Sequence, residues 1–141
     1  MKETSRRTFL RGSAGIAAFS IVPRHVLGGP GFVAPSERVA VAIIGAGGMG
    51  TSNAKSLLAE PEAQIVAVCD VAERTDLKAF WYRYEAGRKP VKALVEAHYG
   101  KASPNYRCAD YEDFRVMLEK EKGIDAILCA TPDHLHAFVS T

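Results

Sequence analysis

A continuous apolar run, Val39 to Ile44, leads directly into Gly45-Ala46-Gly47-Gly48-Met49-Gly50, and a helix-compatible stretch follows. No other feature constrains the chain as much. Read between a strand and a helix, G-x-G-x-x-G points to a dinucleotide phosphate site. Gly45 permits the tight turn, Gly47 lets backbone approach a pyrophosphate, and Gly50 lets the helix pack close to the strand. Ala46, Gly48 and Met49 complete the loop. The helix start then offers N–H groups and the positive end of a dipole to phosphate. Glycine-rich turns are common, so the motif needs a partner. Asp70 is that partner, about 20 residues past the turn, where an acidic residue accepts hydrogen bonds from the adenosine ribose. It ends a second apolar run, Ile65 to Cys69.

With 141 residues and ordinary apolar and charged fractions, one domain is expected. The net charge of +2 comes largely from the first eleven residues. No long basic stripe interleaves with aromatics, so a nucleic-acid partner is not expected. Ser5-Arg6-Arg7-Thr8-Phe9-Leu10-Arg11 is a twin-arginine pattern, followed by the weakly apolar segment 12–22. That segment falls short of the roughly 20 residues a membrane span needs. The expectation is a twin-arginine export signal and a periplasmic or other extracytoplasmic location. This route moves folded proteins, so a cofactor can be loaded before export. Val26-Leu27-Gly28 fits a cleavage site better than Phe32-Val33-Ala34, and an uncleaved anchor stays open. Residues 23–37, rich in Gly and Pro, read as a linker. Cys69, Cys108 and Cys129 are an odd set without C-x-x-C spacing, so buried free thiols are expected.

From Arg38 onward the pattern alternates. Val39–Ile44 is strand one, 49–59 a helix ended by Pro61, and 64–69 strand two. Both strands are unbroken apolar runs, as in parallel strands buried on two faces. Leu77, Phe80, Trp81 and Tyr84 recur at helical spacing, which predicts a second helix stopped by Gly87. Pro90 then starts another, with Val91, Leu94, Val95 and His98 on one face and His98 at the surface. Arg88, Lys89 and Lys92 read as a solvated face. Tyr106–Ala109 is a short third strand. Asp110 is expected to cap the next helix, with Asp113 in a capping-box position and Tyr111, Phe114, Met117 and Leu118 buried. Gly123 ends it, 124–130 is strand four, and Thr131 caps a last helix whose first position is Pro132. Right-handed crossovers turn this βαβα order into a doubly wound parallel sheet ordered 3-2-1-4. The ligand crevice of such a sheet lies at the carboxyl ends of strands one and four. There Cys129-Ala130-Thr131-Pro132-Asp133-His134-Leu135-His136 forms a second constellation. On a helix His134 and His136 lie about 200° apart, so no shared metal is expected.

The signal, G-A-G-G-M-G, the Cys69-Asp70 end of strand two and A-T-P-D-H-L-H-A together resemble the glucose–fructose oxidoreductase/inositol dehydrogenase/rhizopine-catabolism family (Gfo/Idh/MocA). The segment 27–37 resembles that of exported members. The resemblance covers essentially all of the chain after the signal. It implies a Rossmann-like α/β fold and NAD(P)-dependent redox chemistry on a sugar or polyol. The family's cofactor-binding pattern carries onto Gly45, Gly47, Gly50 and Asp70, and onto Thr131, Pro132 and His136 near the nicotinamide. Asp70 favours NAD over NADP by repelling a 2′-phosphate, and Arg74 is near enough in sequence to temper that preference. The family's catalytic Lys sits in a later E-K-P motif and its catalytic Asp and His later still. None of these is among the 141 residues, so no catalytic residue is assigned. Residues 1–35 therefore read as signal and linker, and 36–141 as a partial NAD(P)-binding domain of an N-terminal fragment, truncated after strand four. The same superfamily includes glycoside hydrolases that oxidise and re-reduce a sugar on a retained NAD. That reading and a non-catalytic nucleotide-binding module are the alternatives, and a homo-oligomer stays open. The stretch 73–104 is longer than usual for the family.

Overall fold

The computed structural model of the chain describes residues 33–140. The signal sequence and most of the linker expected above lie outside these residues. A 3-10 turn, Pro35–Glu37, leads into β1 (Val39–Ile44), whose burial deepens toward its carboxyl end. β1 pairs in parallel with β2 (Ala63–Cys69), with one register slip between Val41 and Ala42. β5 (Ala109–Tyr111) pairs with β2, and β6 (Ala126–Cys129) with β1, both in parallel. The order β5-β2-β1-β6 is the doubly wound order expected from the pattern.

The two sheet faces are covered differently. α1 (Gly48–Leu57) and α2 (Arg88–Tyr99) pack on one face, where Ile43, Ile65, Val68, Ala54, Val91 and Val95 are fully buried. α3 (Phe114–Lys120) packs on the other, where Met117 meets Ala42, Ile44 and Ala67. Val139 of α4 (Asp133–Ser140) adds to that second cluster. Burial of each large aliphatic side chain contributes about 1.5–3 kcal/mol before entropy is charged.

The stretch 77–84 is not a helix. β3 (Thr75–Asp76) and β4 (Glu85–Ala86) pair antiparallel, and two successive turns join them, Phe80 N–H to Leu77 O and Arg83 N–H to Phe80 O. Those turns repeat every three residues, which imitates helical spacing. Arg83, at φ +55°, breaks any helix there. Phe80 and Trp81 are exposed, whereas Tyr84 turns onto α1, donating to Gly48 O at 2.7 Å and meeting Ser52 Oγ at 2.9 Å.

Gly87 does not stop a helix; at φ +110° it is the N-cap of α2, which begins at Arg88 and not at Pro90. Nor do Arg88, Lys89 and Lys92 form a solvated face. Arg88 is buried, and all three surround Asp110, with Lys92 Nζ at 2.6 Å, Lys89 Nζ at 2.9 Å and Arg88 Nε at 3.8 Å. These cations draw Asp110 and Tyr111 into β5, so the third strand lies later than Tyr106–Ala109. The cap of α3 is therefore Asp113, whose carboxylate accepts Arg115 N–H at 2.9 Å. Tyr111 donates instead to Glu121 at 2.6 Å. Leu118 is at the surface, as is His98.

Candidate functional site

The chain leaves β1 through Gly45, at φ +91°, a conformation that L side chains rarely adopt. A methyl there would also lie 2.7 Å from the Ala130 carbonyl, so the β1 turn runs against the end of β6. Gly45 N–H donates to Cys69 O, and Ala130 N–H to Ile44 O, each at 2.8 Å. The carboxyl ends of β1, β2 and β6 are thus tied into one rim, the place where the strand order reverses.

α1 begins at that rim. Its N-cap, Gly47, makes no side-chain cap, and the first bond of the helix is Thr51 N–H to Gly47 O. The first-turn N–H groups therefore have no intrahelical acceptor and no side-chain cap. A Cβ on Gly47 would meet nothing within 4 Å, so the loop faces open space there. A Cβ on Gly50 would collide with Gly45 O, and one on Gly48 with the Tyr82 ring. The four glycines accordingly serve three ends: Gly45 bends, Gly47 opens, and Gly48 and Gly50 allow close packing.

Asp70 reaches back to this loop. Its Oδ2 accepts Ala46 N–H at 2.6 Å and its Oδ1 accepts Ala72 N–H at 2.8 Å. Beside it Cys69 is buried, and burial, reinforced by the Asp70 charge, pushes its thiol up to about 12. Burial does the same to Cys108, so neither is a thiolate at neutral pH. Cys129 is only half-buried, 3.3 Å from Thr131 Oγ1.

Gly45, Gly47, Asp70, Thr131 and Pro132 line one cavity of about 450 Å³. Ala46 is buried behind it, Gly48 and Gly50 are packed into the α1 contact, and Met49 is exposed outside it. The His136 ring is spent on its own loop, 2.7 Å from Thr131 O. Among the described residues no group of three or more His, Cys, Asp or Glu side chains is arranged for a metal ion. Sequence reasoning missed the apolar wall of the cavity: Phe114 of α3 with Leu135 and Phe138 of α4. The two phenyl rings meet edge to face at 5.9 Å. The segments after β5 and β6 carry this wall; the strand order brings those strand ends to the crevice but does not say which side chains of α3 and α4 turn into it.

A doubly wound parallel sheet with a glycine turn, an uncapped helix start and an acidic β2 end at the switch point defines a dinucleotide-binding domain. Residues 39–140 match the family described as "Oxidoreductase family, NAD-binding Rossmann fold" (Gfo/Idh/MocA), and the chain belongs to it. The family binds NAD through this fold, and the donor set and open Gly47 loop fit that group. A curated relative is a glycosyl hydrolase family 109 protein of Stenotrophomonas maltophilia (strain K279a). It is 31% identical over 132 residues, 94% of this chain and 25% of the relative. Among solved structures, GenD2 from gentamicin A biosynthesis, in complex with NAD, is 22% identical with a TM-score of 0.51. The match covers 85% of this chain and 26% of GenD2. A putative myo-inositol dehydrogenase from Sinorhizobium meliloti 1021 is 26% identical with a TM-score of 0.41, covering 72% and 23% of the two chains. The chain thus spans about a quarter of the length of the relatives it matches.

Proposed function

We propose that this chain is the cofactor-binding part of an exported NAD-dependent oxidoreductase acting on a sugar or polyol. The observation that carries the reading is the meeting of the Gly45 turn, Asp70 and the Thr131-Pro132 loop in one crevice. The open loop at Gly47 and the start of α1 would hold the pyrophosphate, with Gly45, Ala46, Gly48, Met49 and Gly50 fixing that loop. Asp70 would accept the adenosine ribose hydroxyls, and Thr131, Pro132 and His136 would shape the nicotinamide side. When bound, the cofactor supplies an acceptor for hydride from a carbinol carbon. What this chain's own residues do is bind, orient and exclude water; none of them is assigned the proton transfer.

A preference for NAD over NADP is supported by Asp70 and by the pairing of Arg74, the cation near enough in sequence to temper it, with Glu85. Arg74 Nη1 already lies 3.4 Å from Glu85 Oε2, and Lys78 Nζ lies 3.7 Å from the other oxygen of Glu85. The hairpin thereby gives the loop's cations an internal carboxylate.

The glycosyl hydrolase relative favours a second reading, in which the sugar is oxidised transiently and the cofactor retained. One experiment separates the two. The intact protein is given free polyols and aryl glycosides while NADH absorbance and aglycone release are followed. Stoichiometric NADH from a free sugar or polyol is the expected result. Aglycone release without net NADH would establish the hydrolase reading.

Export is supported by the twin-arginine pattern of Ser5 to Arg11 and the weakly apolar segment that follows it. No helix among the described residues is long and apolar enough to cross a membrane. Replacing Arg6 and Arg7 together by Lys is expected to hold the protein in the cytoplasmic fraction, with the unaltered protein recovered outside it. Equal distribution of the two would remove the export reading.

A further inference from the structure

Four consecutive carbonyls follow β2, and all four are held by the first two residues of α2. The Arg88 guanidinium donates through Nη1 to Asp70 O at 3.1 Å and Val71 O at 2.9 Å. Arg88 N–H donates to Ala72 O and Lys89 N–H to Glu73 O, both at 3.1 Å. Nη2 of the same guanidinium takes the Glu73 carboxylate at 3.0 Å. One residue earlier, Gly87 N–H donates to Ala46 O at 2.7 Å. Ala46 is the residue whose own N–H is bonded to Asp70 Oδ2. The start of α2 is therefore bonded to both loops that form the adenosine half of the crevice.

Arg88 is only 8% exposed, and Asp110 faces it from β5. It lines no part of the cavity, so it does not touch a bound dinucleotide there. A planar guanidinium with several fixed donors can hold two carbonyls and a carboxylate at once, whereas a lysine ammonium is a point charge. A loop whose carbonyls all turn inward toward one helix start has little freedom left, and its Asp70 carboxylate, bonded to Ala46 N–H and Ala72 N–H, is held at the wall of the cavity.

We propose that Arg88 is a positioning residue for cofactor recognition: it holds the loop from Asp70 to Glu73 in the one shape that presents Asp70 to the adenosine ribose. The inference rests on the ribose role proposed for Asp70. Because Arg88 acts through Asp70, the two substitutions are coupled and not additive.

The test is a double-mutant cycle on NAD affinity, measured by calorimetric titration of the intact protein. Arg88→Gln is expected to weaken NAD binding ~10-fold when Asp70 is present, and less than about 2-fold in an Asp70→Asn background. Arg88→Lys keeps the positive charge opposite Asp110 and therefore the fold. It is expected to narrow the ratio of NAD to NADP affinity, a change that a general loss of stability does not produce. Equal losses in both Asp70 backgrounds, or an unchanged ratio in Arg88→Lys, would overturn the inference while leaving the ribose reading intact. If Asp70→Asn alone leaves NAD affinity unchanged, the ribose reading itself fails, and the inference with it.

Discussion

Gly50→Ala is expected to destabilise the fold by about 3 kcal/mol, whereas Gly47→Val leaves the fold intact and removes cofactor binding. The two glycines are three residues apart, Gly47 at the N-cap and Gly50 in the first turn of α1, and they differ in what lies beyond the missing Cβ. At Gly50 that space is filled by the carbonyl oxygen of Gly45, which is backbone and cannot rotate aside. The added methyl therefore drives α1 off β1, at the contact that holds Ala54 fully buried against Ile43 and Ile65. For a domain of this size the melting temperature should fall by upwards of about 10 °C. At Gly47 the same space is empty, and φ is −67°, which any residue adopts. The Cβ of a valine there meets no atom within 4 Å beyond its chain neighbours, and the branched side chain occupies the approach proposed for the pyrophosphate. NAD affinity should fall ~100-fold or more, the equivalent of about two charge-assisted hydrogen bonds, with the melting temperature lowered by only a few degrees, because valine is a poorer N-cap than glycine. Thermal unfolding and calorimetric titration on both variants check this. A Gly47→Val protein that binds NAD normally would move the pyrophosphate away from this loop.

The β1 turn, Asp70 and the strand order were legible because each depends on local chemistry: an apolar run, a missing Cβ, an acid at a strand end. What was not legible depends on contacts across the chain. Leu77, Phe80, Trp81 and Tyr84 fit a helical stripe, yet Tyr84 is held by Gly48 and Ser52, residues more than 30 positions earlier. No periodicity reports such a bond, and successive three-residue turns mimic the stripe. Asp110 was misread for a similar reason. It has a capping residue's chemistry and a capping-box partner, but three cations from α2 claim it first. Asp113, free of them, takes the cap. Arg88 illustrates the converse: a basic residue in a basic stretch reads as solvated until the loop after β2 folds over it. The site's polar half was readable on the same grounds, and its apolar half was not. Phe114 and Phe138 face the crevice only because β5 and β6 end on opposite sides of β1 and β2.

Asp110→Asn should be the most damaging charge substitution in the described structure, with a loss that depends on pH in one direction. The Asp110 side chain is only 13% exposed, and its oxygens face Lys92, Lys89 and Arg88. Removing its charge leaves the largely buried Arg88 guanidinium with two backbone carbonyls and, of charged partners, the exposed carboxylates of Glu73 and Glu112. Removing one partner of this largely buried cluster costs about 2 kcal/mol, below the cost of a fully uncompensated buried charge because Arg88 keeps Glu73 and the two lysines are partly in water. Hydrogen bonds from Lys89 and Lys92 hold the Asp110 carboxyl below its usual value of 3.8, and the Asp110 hydrogen bond in turn raises Lys92. A carboxyl with a lowered folded-state pKa contributes its full stabilisation above the unfolded value and loses it as pH falls through the folded value. The stability gap between the natural protein and Asp110→Asn should therefore be constant from pH 7 down to about 4 and shrink below that. The lysine side of the pair adds no loss in this window, because Lys92 stays protonated throughout it. Denaturant unfolding of both proteins from pH 7 to pH 2 reads the gap directly. A gap of equal size at pH 2 would mean that shape and hydrogen bonding at Asp110, and not its charge, hold α2 to β5.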